Sequence, residues 1–375
     1  MAPELALEAL GQAAQGSTVL DPMCGSGTVL KHAIEEGHSA IGFDTDPLAV
    51  LLSRVACSHL NRERLLQSGA RLVEEALSLP RVVLPWVDND VETQDFLSYW
   101  FAEDQWEQLS RLAATLDWRT GKTADALRVA LSRTIITKDR GASLARDVSH
   151  SRPHRVRDKN DFDVYGGFLL AVDRIGSILD RPTSGSVTVV RQDARQIPKS
   201  MWRKVDLVIT SPPYLNAIDY MRGHRLSLVW LGHRVGDLRK IRANSVGSHR
   251  QLLSARESAK QLVPRHKYLS TQQQGMLDRY ACDMGILMRQ IARVLKPNGE
   301  AVIVVGDSTI QGVFVRNSAI VEKAAALAGL RRTERRSRRL PASSRYLPPP
   351  AADDGPLSKR MRSEVVFHFQ RESKC

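Results

Sequence analysis

Residues 17–47 carry a pattern that leaves few architectures open: an apolar run ending in an acid, a glycine turn, a helical stretch, and a second apolar run ending in another acid. Ser17 to Leu20 is rich in β-forming residues and leads into Asp21. Gly25 and Gly27 follow within Asp21-Pro22-Met23-Cys24-Gly25-Ser26-Gly27-Thr28. Thr28 to Glu36 has helical composition, and Gly37 stands where a C-cap needs a left-handed residue. Ser39 to Phe43 is the second run, ending at Asp44, and Asp46-Pro47 opens another helix with proline at an allowed first-turn position. Strand, helix, strand, helix in this order predicts an α/β fold with a parallel sheet.

The pattern changes from about Asn61 to Arg181, where strand signals are few, and resumes at Ser186. Val187–Val190 and Val205–Ile209 read as strands, the second running into Thr210-Ser211-Pro212-Pro213-Tyr214. A helix over roughly Met276–Leu295 stops at Lys296-Pro297-Asn298-Gly299, Ala301–Val305 is a further strand, and Ser318–Ala328 is helical before Gly329. Arg331–Arg339 and Glu364–Phe369 are expected to close the sheet as an antiparallel pair, with Leu347-Pro348-Pro349-Pro350 as a stiff loop between them. The expected organisation is a catalytic domain from residues 1–60 and 186–375, interrupted by a helical insertion over 61–185.

A formal net charge of +13 favours a polyanionic partner. Cys24, Cys57, Cys282 and Cys375 are scattered without a CxxC pair, which argues against a zinc site or a disulfide framework. His150 and His154 lie at helical spacing, but no acidic third ligand accompanies them, and no metal site is expected. No signal pattern opens the chain and no apolar run reaches membrane-spanning length, so a cytoplasmic protein with no membrane partner is expected.

Glycines between a strand and a helix permit a tight turn and close backbone approach to a ligand. A phosphate P-loop needs GxxxxGK[ST], and no Lys follows Gly27. A dinucleotide fingerprint needs GxGxxG, and Leu30 occupies the third glycine position. The shorter loop of adenosylmethionine enzymes remains. Asp44, ending the second strand, is placed to accept both ribose hydroxyls, with Asp46 as the fallback. Asp193, near the end of the third strand, suits the adenine amino group. The competing explanation for each aspartate is that it caps a helix.

The Pro-Pro corner suits an amino group on a planar base. Such an amine is a weak nucleophile because its lone pair is delocalised into the ring. The Ser211 hydroxyl and the Pro212 carbonyl, held by proline's fixed backbone, can accept from its two N–H groups and favour a pyramidal nitrogen. Tyr214 can stack on a base swung out of the duplex. A C5-cytosine mechanism needs a Cys nucleophile, usually after Pro, and no Cys here follows Pro.

The segments DPMCGSGT, IGFDTDPLAV and DLVITSPPYLNAIDY resemble the signatures of amino-group DNA methyltransferases, the N4-cytosine and N6-adenine enzymes. The resemblance covers roughly Thr18–Arg54 and Ser186 to the C-terminus. It implies a Rossmann-like class I methyltransferase sheet, mostly parallel with a reversed last strand, and S-adenosylmethionine as donor. By the same resemblance Asp21, Pro22, Met23, Cys24, Gly25, Gly27 and Thr28 would bind that donor with Asp44, Asp46 and Asp193. Ser211, Pro212, Pro213 and Tyr214 would be catalytic. It further implies target recognition in the insertion, and it allows a cognate restriction endonuclease as a companion. Ser in the first catalytic position is more typical of N4-cytosine enzymes, with adenine N6 open. The family usually has Phe where Met23 stands, and with only twenty residues before Asp21 the upstream wall of the cofactor pocket is expected to be short. An RNA guanine-N2 methyltransferase shares DPMCGSGT-like motifs but usually carries NPPY or DPPY. A DNA-binding protein that keeps the fold without catalysis would not need an intact SPPY.

Nucleic-acid contacts are expected from two basic segments. One is Met221–Arg242, with Arg222, Arg225 and Arg234 among its cations and Leu228, Val229, Trp230 and Leu231 between them. The other runs from Lys138 and Arg140 to Lys159. The competing explanation for the first is a core helix with a wet face. Asn216 and Asp219 are candidates for the pocket edge.

Overall fold

The computed structural model describes residues 3–136, 140–146, 153–180, 184–215, 220–246, 259, 261–263, 267–310, 313–339 and 363–372. Lys138, His150, Asn216, Asp219 and the Pro-rich segment 347–350 lie outside them. The chain forms two compact units, one from Met1–Thr45, Ser184–Ile218 and Ala243–Cys375, the other from Asp46–Thr183 and Asp219–Arg242.

The first unit is built on a seven-stranded sheet. Its strands are β1 (Thr18–Asp21), β2 (Ser39–Asp44), β5 (Ser186–Arg191), β6 (Val205–Thr210), β7 (Leu295–Gly306), β10 (Leu330–Arg339) and β11 (Ser363–Arg371). Two short antiparallel pairs lie outside the sheet: β3 (Ala145–Arg146) with β4 (His154–Arg155), and β8 (Ser308–Ile310) with β9 (Val313–Val315). The sheet order is β10-β11-β7-β6-β1-β2-β5. β7, β6, β1, β2 and β5 run parallel, while β11 is antiparallel to both β7 and β10. β1 is flanked on both sides, and its Val19, Leu20 and Asp21 are buried, as in a strand covered on both faces. Val208, Ile303, Val305 and Phe367 share a core with Met284, Leu287 and Ile291 of the helix Thr271–Val294 and with Ile320 and Val321 of the helix Asn317–Leu327.

The helix starting at Thr271 opens with a capping box between Ser270 and Gln273. It passes straight into β7, earlier than the strand start expected at Ala301. Leu295 already pairs with Val205, and Lys296–Gly299 form an irregularity before Glu300 pairs with Leu207. Asn298 takes a left-handed φ of 62° there, and Lys296 Nζ lies 2.8 Å from Asp206 Oδ1. The arginine-rich run and Glu364–Phe369 do pair antiparallel. β10 tolerates its charges because it is an edge strand with one neighbour, and most of its residues are exposed.

The second unit is helical, and its core gathers Leu97, Leu109, Leu127, Leu131, Phe168, Val172 and Trp230. The helix Pro47–Ala56 packs here through Leu48 and Val55, with Asp46 as its N-cap accepting from Leu48 N at 2.9 Å. Residues 46–60 and 219–242 therefore fall with the helical unit rather than with the sheet, a division different from the one expected at 61 and 185. The amphipathic face of each helix, not its place in the strand–helix alternation, decides which core it joins. Among the described residues no helix is long and apolar enough to cross a membrane.

Candidate active site

The parallel strands end along one edge of the sheet. Asp21 closes β1, Asp44 closes β2, Ser211 follows β6 directly and Asp307 follows β7. Asp193 stands two residues beyond β5.

Asp21 is buried. Its Oδ1 accepts from Met23 N at 3.1 Å and from Thr210 Oγ1 at 2.7 Å. Burial pushes its carboxyl up to about 6; these two hydrogen bonds oppose the shift and the negative charge of Asp44 adds to it. The next turn is stitched to β2: Cys24 N donates to Phe43 O at 2.9 Å, and Gly25 N donates to Asp44 Oδ2 at 3.0 Å. Gly25 and Gly27 have φ of 52° and 83°, the left-handed region in which a side chain is strained, so the turn requires glycine for its backbone. The helix Thr28–Glu35 then starts at Gly27 without a side-chain cap, leaving its first N–H groups for another acceptor.

Gly42 was not singled out in the sequence, and it has a packing role. A Cβ there would lie 2.3 Å from Leu30 Cδ1 and 3.2 Å from Cys24 Sγ, so this glycine lets the helix and the turn close onto β2. Gly42→Ala is expected to destabilise the protein by about 1–3 kcal/mol, read as a lowered midpoint in denaturant unfolding. An unchanged midpoint would contradict that packing.

The other predicted donor-binding residues are placed as follows. Asp46 is spent as a cap: its Oδ1 accepts from Leu48 N and its Oδ2 lies 2.6 Å from His224 Nδ1. That leaves Asp44 as the candidate for the ribose. Asp193 is held by Arg195, whose Nε and Nη2 lie 3.0 and 2.8 Å from its carboxylate oxygens. The same guanidinium reaches Asp283 Oδ1 at 2.9 Å. Arg195 and Asp283 were not legible as partners because they sit 88 residues apart in the chain.

At the corner after β6, Pro212 is buried, and Ser211 and Tyr214 are half-buried. The Ser211 hydroxyl has no hydrogen-bond partner among the described residues. Tyr214 packs against the sheet core, and its hydroxyl donates to Glu364 Oε1 of β11 at 3.2 Å. Glu364 is a second residue that sequence reasoning missed. On the next strand end, Asp307 Oδ1 accepts from Ser318 N at 2.9 Å, and Asn317 Nδ2 donates to Gly306 O at 2.9 Å.

In the helical unit, Arg222 and Arg234 are exposed, whereas the Arg225 guanidinium lies 5.1 Å over the Phe96 ring. The apolar residues between them are core, with Trp230 edge-on to Phe101 at 5.1 Å. The core-helix account of this segment therefore holds for Leu228 to Trp230 and leaves Arg222 and Arg234 on its wet face. Arg140 is exposed and pairs with Asp161 at 3.2 Å. Among the described residues no group of His, Cys, Asp and Glu could hold a metal ion.

No protein-family model matches the chain, and no curated protein sequence does either. Solved structures similar to it include a TehB-like SAM-dependent methyltransferase from Corynebacterium glutamicum, at 12% identity over 99% of this chain and 89% of that one, with a TM-score of 0.33. A SAM-dependent methyltransferase from Methanosarcina mazei gives 8% identity, coverages of 97% and 96%, and a TM-score of 0.35. TrmN from Thermus thermophilus gives 12% identity, coverages of 99% and 49%, and a TM-score of 0.35. Scores this low carry no weight for the reaction, and the fold assignment rests on the strand order itself. With β11 reversed and inserted between β7 and the edge strand β10, the sheet is a mostly parallel α/β sheet with a reversed last strand, as expected from the sequence.

Proposed function

We propose that this protein transfers a methyl group from S-adenosylmethionine to the exocyclic amine of a base in DNA, cytosine N4 in the first place. The observation that carries this reading is the 2.7 Å hydrogen bond from Thr210 Oγ1 to Asp21 Oδ1. With the register Val19↔Leu207 and Leu20↔Val208, it sets the ends of β1 and β6 side by side. The glycine turn and the Ser211 corner therefore open at the same edge, where the connections leaving the sheet reverse direction. This is the position at which open α/β sheets bind their ligands.

The residues fit the donor's chemistry. S-adenosylmethionine supplies an electrophilic methyl group on a cationic sulfonium. Asp21 complements the ammonium of its amino-acid end, and the uncapped N-terminus of the helix Thr28–Glu35 suits its carboxylate. Asp44 ends β2 beside the glycine turn and takes the ribose hydroxyls, as the acid of the second strand does in dinucleotide folds. On the acceptor side, Ser211 and the Pro212 carbonyl take the two amine N–H bonds and aim the nitrogen lone pair at the methyl group. The proton of the methylated amine leaves to water, so no strong base is needed. Tyr214 stacks on the extruded base, its ring fixed by the bond to Glu364. Ser211 in place of an acid favours cytosine over adenine. Arg222 and Arg234 of the helical unit hold phosphates, and that unit reads the target sequence.

The test is to incubate the protein with methyl-labelled S-adenosylmethionine and, separately, duplex DNA, RNA and protein acceptors. Label on duplex DNA is expected. Label confined to RNA or to protein would overturn the reading.

A further inference from the structure

β10 is the one sheet strand made mostly of arginine: Arg331, Arg332, Arg335, Arg336, Arg338 and Arg339, against a single acid, Glu334. It pairs only with β11 and so forms an edge of the sheet. Edge strands do carry charges that block pairing with another chain. Three of these arginines, however, are already held by acids. Arg332 meets Glu322, Arg336 meets Glu8, and Arg338 lies 3.7 Å from Glu4 and 3.5 Å from Glu364. The other three meet no carboxylate among the described residues, and all are exposed. Arg331 donates to the neutral Gln370 at 2.7 Å, Arg335 lies 5.9 Å over the Phe367 ring, and Arg339 ends the strand.

Their placement is ordered. A bulge between Arg332 and Glu334 shifts the register, and Arg335 and Arg339 then stand opposite Phe367 and Ser363 on one face, whereas Arg331, opposite Gln370, lies on the other. Four residues of strand separate them by about 13 Å, the axial span of about four phosphates on one DNA strand. β10 runs in the same direction as β6, because β11 is antiparallel to both β10 and β7, and β7 is parallel to β6. Its Arg339 end therefore lies at the sheet edge where Ser211 follows β6. The contact of Arg338 with Glu364, which also holds Tyr214, places that end beside the catalytic corner.

We propose that Arg335 and Arg339 form a phosphate-binding surface that holds the backbone of duplex DNA beside the amine pocket. This rests on the DNA reading above and adds a contact surface on the sheet unit itself. Guanidinium forks not engaged by carboxylates suit phosphate oxygens, and their contribution depends on salt through counterion release.

The test compares the protein with the double variant Arg335→Gln, Arg339→Gln in duplex DNA binding between about 50 and 200 mM salt. Arg332→Gln, whose charge is already paired with Glu322, serves as the control, and thermal unfolding checks that all three proteins are folded. The slope of log affinity against log salt should shrink by about 1–2 in the double variant, with S-adenosylmethionine binding unchanged and the control keeping the wild-type slope. If wild type binds and methylates DNA while the double variant keeps its slope and affinity, this inference alone falls, and the arginines only guard the edge. Self-association of the double variant with unchanged DNA binding would overturn the inference in the same way. If wild type binds no duplex DNA, both the inference and the DNA reading fall.

Discussion

Replacing Ser211 by alanine is expected to lower kcat for methyl transfer by about 10²–10³-fold, or ~3–4 kcal/mol, while leaving S-adenosylmethionine affinity unchanged. The Ser211 hydroxyl makes no hydrogen bond among the described residues, so its removal leaves no buried group unpaired and the effect reads on the reaction itself. The donor cradle is held one residue earlier, through Thr210 and Asp21, and should survive. Tyr214→Ala is expected to divide differently. Losing a stacking ring costs about 1–3 kcal/mol and should appear mainly as a raised KM for DNA. Steady-state kinetics on both variants separates the two roles. A Ser211→Ala protein with wild-type kcat would move amine activation away from this corner.

The second large effect concerns Asp21. In the unfolded chain this carboxyl titrates near 3.8, and burial raises it to about 6 in the folded protein. Folding thus favours its protonated form. That contribution is complete below about pH 4 and is lost as pH rises through about 6, so the donor-free protein should lose on the order of 3 kcal/mol over that window. Asp21→Asn keeps an acceptor for Met23 N and Thr210 Oγ1 but cannot ionise. At pH 7.5 it is expected to be more stable than wild type by about 2–3 kcal/mol. Donor binding should run the opposite way, because a cation beside Asp21 favours the ionised form. Wild-type affinity for S-adenosylmethionine is expected to weaken by up to about tenfold per pH unit below 6, whereas the Asn variant binds weakly and without that slope. Denaturant unfolding and donor titrations between pH 4 and 8 measure both. An Asn variant less stable than wild type at pH 7.5 would contradict the cost assigned to the buried charge.

What was legible in the sequence is what short-range pattern controls. The turn at Gly25 and Gly27, the acids ending β1 and β2, and the antiparallel closure by β10 and β11 follow from alternation, glycine chemistry and charge at a sheet edge. Contacts across long stretches of chain were not legible. Nothing near Tyr214 announces Glu364, which lies 150 residues on, and nothing near Asp193 announces Asp283. The helix Pro47–Ala56 continues the strand–helix rhythm of the sheet unit, yet its apolar residues belong to the other core. Asp46 illustrates the same limit. Position made it a candidate for the ribose, but Pro47 behind it starts a helix that takes its carboxylate as a cap.

If the Pro-Pro corner and the glycine turn act together on an exocyclic amine of DNA, the methyl group must end on nitrogen. Digesting methyl-labelled duplex DNA to nucleosides and separating the products tests this most directly. Label is predicted in N4-methylcytosine, and its initial rate of incorporation should fall by about 10²–10³-fold when Ser211→Ala replaces the wild-type protein. Label in a ring-carbon methyl such as 5-methylcytosine, or no label in DNA at any donor concentration that saturates the protein, would contradict it.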